Sequence, residues 1–142
     1  MADHFFISYS AVDGADFALR LADELDAGPP PIPTWVDKRK LRPGEGWDDQ
    51  IVDAIRTCKG LLFVMSLDSV TSNSVCKNEW VRALRYKKPI IPLQLHEDAD
   101  LPFQLGTRQF IDFTGSFESA TAKRFLDGIV RGTARGSEIP SG

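Results

Sequence analysis

Short apolar runs alternate with longer amphipathic stretches along the whole chain. Phe5-Phe6-Ile7-Ser8-Tyr9 is β-prone and reads as a buried strand. Phe17, Leu21 and Leu25 then recur at helical spacing, and Asp13, with Asp16 three residues on, stands in a capping-box-like position at the start of that helix. Gly28-Pro29-Pro30-Pro31 ends it, because proline cannot continue a helix. Thr34-Trp35-Val36 reads as a second, shorter strand, and Asp37 to Trp47 as a charged loop that turns at Pro43-Gly44. Asp48 and Asp49 suit the start of a second helix, with Ile51, Ile55 and Cys58 on its inner face.

The second half repeats the scheme. Leu61-Leu62-Phe63-Val64-Met65 is the clearest buried strand, and the Ser72 to Ser74 cluster caps a helix that runs to about Tyr86. Pro89 to Leu95 reads as a fourth strand, short or near an edge because of its two prolines. His96 to Leu105 is acidic and irregular, Phe110 to Phe113 is a fifth strand, and Phe117 to Val130 is a closing helix with Phe125 and Ile129 inward. The alternation predicts an α/β domain with a five-stranded parallel sheet and helices on both faces. Ligands bind such sheets outside the carboxyl ends of the strands, at the topological switch point. Ser8 to Ala11, Asp37 to Trp47 and Ser66 to Glu79 all follow strands and can meet at that rim.

A length of 142 residues suits one domain. The net charge of −3 argues against nucleic acid or an anionic membrane as the main partner, yet leaves room for a small anionic ligand held by local cations. The longest apolar runs, such as Gly60 to Val64, are too short to span a bilayer. The N-terminus enters a strand without a basic region or a small-residue cleavage site, so no signal peptide is expected. Cys58 and Cys76 fall outside any CxxC or metal-ligand spacing, and reduced thiols in the cytoplasm are the simplest reading. His4 and His96 lack partners at ligand spacing, so no metal is expected. From Gly132 the composition turns to Gly, Ser, Thr and Pro, which divides the chain into a domain over 1–131 and a flexible linker or tail over 132–142.

One residue departs from the pattern. At about 100° per helical residue, Glu79 falls between Val75 and Ala83, beside Cys76, inside the apolar arc of its own helix. A carboxylate there is costly unless it is paired, hydrogen-bonded or lining a cleft. Position alone leaves two readings open, a functional carboxylate and a rim carboxylate that reaches water.

Four segments decide what surrounds it: Phe6-Ile7-Ser8-Tyr9-Ser10, then Trp35-Val36-Asp37 with Leu41-x-Pro43-Gly44, then Leu62 to Ser66, then Ser74-Val75-Cys76-Lys77-Asn78-Glu79-Trp80. In this order and strand context the chain resembles a TIR domain over essentially Asp3 to Arg131. The resemblance implies a flavodoxin-like sheet, with Asp37 to Trp47 as the BB loop. Some TIR domains are scaffolds that assemble through that loop and helix surfaces. Others, bacterial members among them, cleave NAD into nicotinamide and ADP-ribose or a cyclic product, with one glutamate on the helix after the third strand. Glu79 matches that position, so the resemblance implies a catalytic Glu79 and NAD as substrate, with no cofactor. It also implies self-association through the Asp37 to Trp47 loop, possible contact with other TIR domains, and a role in immune or defence signalling. The rival is a non-catalytic scaffold for TIR–TIR association. A receiver domain would need a phosphoacceptor aspartate at the end of the third strand, where this chain has Met65-Ser66.

The implied substrate contacts are Ser8, Tyr9, Ser10, Asp37, Arg39, Leu41, Trp47 and Cys76. Each has a plainer reading as well. Trp47 either stacks on a base or caps the underside of the loop. Tyr9 and Ser10 end a strand where ribose or phosphate can be held, while Ser8 can satisfy local backbone groups. Lys38, Arg39, Lys40 and Arg42 form either a solvated loop or a diphosphate or assembly contact. Cys76 suits wall packing better than nucleophilic chemistry, Trp35 and Trp80 suit the core, and Lys87-Lys88 complements a helix dipole. The chain departs from common TIR patterns in its proline-rich Pro29 to Pro33 segment, and in having Ser10 and Ala11 where some NAD-cleaving members carry arginines. It has no Gly-x-Gly-x-x-Gly, so a Rossmann redox reading has no support.

Overall fold

The computed structural model describes residues 4–10, 12–27, 32–36, 47–71, 75–99, 105 and 111–113. In chain order the elements are β1 (Phe5–Ser8), α1 (Ala15–Ala27), β2 (Thr34–Val36), α2 (Trp47–Thr57), β3 (Gly60–Met65), α3 (Val75–Arg85), β4 (Ile90–Gln94) and β5 (Ile111–Asp112). The strands form one five-stranded sheet in the order β2-β1-β3-β4-β5, and every pairing is parallel. Four strands of three to six residues carry the sheet, and the two-residue β5 covers only Leu93 and Gln94 of β4. Trp47, expected as the end of the charged loop over 37–47, is instead the first residue of α2. The rest of that loop, the Ser72–Ser74 cap, the closing helix and the tail over 132–142 lie outside the described residues.

Side-chain alternation sorts the strands into two faces. Phe5 and Ile7 of β1, with Leu62 and Val64 of β3, pack on Phe17, Leu21 and Leu25 of α1. Phe6, with Leu61, Phe63 and Met65, packs on the other face against Ile55 of α2 and Trp80 and Ala83 of α3. Helices therefore cover both faces. Because β1 leads to α1 and β3 to α3, the chain leaves adjacent strands in opposite directions, and the switch point lies between β1 and β3.

The prolines of the fourth strand agree with its place: β4 has five residues and lies next to the two-residue edge strand β5. Pro92 pairs with Phe63 of β3, and the pairing with β5 begins one residue later, at Leu93. Both prolines thus fall before the two-sided part of the strand.

The C-terminus of α3 closes in a Schellman arrangement. The Lys88 N–H donates to Ala83 O at 2.9 Å and the Lys87 N–H to Leu84 O at 3.0 Å. Lys87 has φ 59°, the left-handed conformation that glycine adopts without strain. Lys87→Gly should therefore stabilise the domain by about 0.5–1 kcal/mol, the Cβ penalty less the extra unfolded-state entropy of glycine. A lower denaturant midpoint in the variant would contradict this.

Candidate functional site

Ser8 closes β1 and shares the face of Phe6, so its side chain points towards α3. On α3, Glu79 lies between inward-facing Cys76 and Ala83 and is only 5% exposed. The Ser8 hydroxyl donates to Glu79 Oε1 at 2.7 Å, across 71 residues of sequence. The bond is buried, and a hydrogen bond to an ionised carboxylate contributes about 1.5–3 kcal/mol. It fixes the carboxylate at the carboxyl end of β1, beside the switch point.

The loops around it are tied as well. The turn after β3 closes on itself: the Ser66 N–H donates to Ser69 Oγ at 2.7 Å, and the Ser69 hydroxyl donates to Ser66 O at 3.0 Å. The Leu67 N–H donates to His96 Nδ1 at 3.1 Å, which anchors this turn to the segment after β4. Asp13 does not act as the expected cap of α1. Its carboxylate reaches across the rim to Ser66 and Asp68, because two hydroxyl and amide donors there satisfy both of its oxygens. Gly14 precedes the helix, with its N–H on Ser10 O at 2.9 Å.

The residues named from sequence are distributed as follows. Ser8 and Glu79 are brought together. Ser10 is buried and bonded to Asp68, and half-buried Tyr9 packs against the core on the α1 side. Cys76 is buried among the apolar residues under α3, which agrees with wall packing. Burial pushes the Cys58 thiol up to about 11, so this second cysteine is a poor thiolate. Trp47 opens α2, and Asp37, Arg39 and Leu41 lie outside the described residues. Trp80 packs on Phe63 with ring centroids 6.5 Å apart, and its Nε1 has no partner among the described residues. Trp35 is half-buried and stacks on Phe6 at 5.1 Å. Sequence reasoning missed Asp13, Ser66 and Asp68 as a group. The available signal was that acidic and hydroxyl residues follow both the first and the third strand.

The sequence profile of the TIR domain family matches residues 5–126. The chain belongs to the TIR domain family. The match spans both the strand that carries Ser8 and the helix that carries Glu79. No curated protein sequence matches the chain at a significant level.

Among solved structures, this TIR domain is similar to that of the Toll-related receptor TRR-2 from Hydra magnipapillata. Identity is 24% and the TM-score 0.68, over 96% of this chain and 98% of that one. A TIR-STING receptor from C. gigas matches 89% of this chain at 24% identity and TM-score 0.70, and the TIR domain corresponds to 39% of that receptor. A prokaryotic SEFIR domain matches 91% of this chain and 92% of its own at 18% identity and TM-score 0.67. Likeness at these identities speaks for the fold. Among the described residues no helix is long and apolar enough to cross a membrane.

Proposed function

We propose that this TIR domain cleaves NAD, releasing nicotinamide and either ADP-ribose or a cyclised ADP-ribose, and does so when assembled in immune or defence signalling. The observation that carries the reading is a buried carboxylate, Glu79, held by Ser8 at the carboxyl end of β1 beside the switch point. The chemistry needs few groups. The bond between the nicotinamide nitrogen and the ribose anomeric carbon breaks, and its electron pair neutralises the departing pyridinium, so no general acid is required. Positive charge develops on the ribose as in glycoside hydrolysis. A fixed carboxylate stabilises that charge and accepts hydrogen bonds from ribose hydroxyls. Water then adds to the anomeric carbon and loses a proton, or an adenine nitrogen adds and gives the cyclic product. Glu79 is the catalytic residue, and Ser8 orients it.

Tyr9, Ser10, Asp37, Arg39, Leu41, Trp47 and Cys76 are the further residues proposed to shape the substrate site. The basic loop over 37–47 supplies diphosphate contact and self-association in this reading, so activity depends on a neighbouring copy. Proline fixes φ and glycine permits unusual backbone angles, so in this reading Pro43-Gly44 is the turn on which the role of Leu41 and Arg42 depends. Pro43→Ala and Gly44→Val should leave the central strands folded while NAD turnover and self-association fall together. NAD consumption measured beside sedimentation checks this. A pure scaffold would show no turnover in the wild type and a loss of partner binding alone. Folded variants that match wild type in both assays would remove the loop from the mechanism.

A further inference from the structure

Hydrogen bonds join the end of β1 and the loop after it to the β3–α3 segment in two places. On the α3 side the bridge is the bond from Ser8 to Glu79. On the α1 side it is a clasp of two carboxylates. Asp13 Oδ1 accepts from the Ser66 hydroxyl at 2.5 Å, and Asp13 Oδ2 accepts from the Asp68 N–H at 3.0 Å. Asp68 Oδ2 in turn accepts from the Ser10 hydroxyl at 2.5 Å, and Ser10 Oγ accepts from the Val12 N–H at 3.1 Å. The three bonds between the loops join residues 53 to 58 apart in sequence.

Tyr9 and Val70 pack on the core from either side of the sheet, but the apolar side chains nearest the clasp face solvent. Val12 and Leu67, which sit within the clasped segments, are 80% and 51% exposed. The polar bonds tie the two loops directly to each other, and charged acceptors make such bonds short and strong. Asp13 and Asp68 are themselves only half-buried, so their loss should move the loops without opening the core.

We propose that Asp13 and Asp68 are positioning residues that set the spacing between Ser10 and Asp13 on one side and Ser66 and Asp68 on the other and, through it, the affinity for NAD. The proposal rests on the NAD-cleavage reading of the same site. Neither carboxylate takes part in the chemistry. They act through Ser10, Ser66 and the turn that leads to α3, and a small misplacement of binding groups is costly in an oriented site.

The test is the kcat and KM for NAD of wild type, Asp13→Ala, Asp13→Asn and Asp68→Ala, each with a melting curve. The alanine variants should raise KM about tenfold, the worth of one charge-assisted hydrogen bond, while kcat stays within about twofold. Asp13→Asn should fall between, because its amide can still accept from the Asp68 N–H and donate to Ser66 Oγ. An unchanged KM, or a fall in kcat at constant KM, would overturn the positioning role while leaving NAD cleavage in place. Unfolding of all three variants would also overturn it, by making the clasp a folding element. Absence of turnover in the wild type would instead overturn the NAD reading itself.

Discussion

Glu79→Gln should leave the domain folded and lower NAD cleavage about a thousandfold. A carboxylate about 4 Å from a developing positive charge contributes about 4 kcal/mol at an effective dielectric of 20, which corresponds to about three powers of ten in rate. Glutamine removes the charge and little volume. Its side-chain oxygen can still accept from the Ser8 hydroxyl, which now donates to Oε1 of Glu79. The loss should therefore appear in nicotinamide release and leave the melting transition nearly in place. Equal turnover by the two proteins would remove Glu79 from the mechanism.

Phe63→Ala should cost about 3–5 kcal/mol of stability, the range for truncating a fully buried aromatic side chain. Phe63 is completely buried in the central strand, pairs with Ser8 on one side and Pro92 on the other, and touches the Trp80 ring of α3. A domain of this size has a total stability of roughly 7–20 kcal/mol, so the loss is a large share of it. The cavity would open beneath the helix that carries Glu79, and activity should fall with the folded fraction. Urea denaturation measures the effect, and a loss below about 1 kcal/mol would contradict the proposed role of this packing.

Much of this arrangement was legible in the chain. The five strands were readable because apolar runs and turn residues alternate, and Phe17, Leu21, Leu25, Ile55 and Trp80 are buried as their helical spacing implies. Glu79 stood out because a charge on an apolar arc needs a reason, and Ser8 was nameable because it closes the first strand. The capping signature at Asp13 is local and carries no information about partners 53 and 55 residues away. The Ser66 and Asp68 contacts were hidden for the same reason. Pro89 and Pro92 point to a short or near-edge strand, and β4 is five residues long beside the edge strand β5. Ser10 was nameable as a rim residue, but its engagement with Asp68 depends on the juxtaposition of two loops.

The most direct measurement is nicotinamide release from NAD by the purified wild-type domain across a range of protein concentrations, with linear and cyclic products resolved. Release should be detectable at high concentration, and specific activity should rise as the domain is concentrated or clustered. A folded domain that releases no nicotinamide at any concentration, clustered or not, would contradict the proposed function.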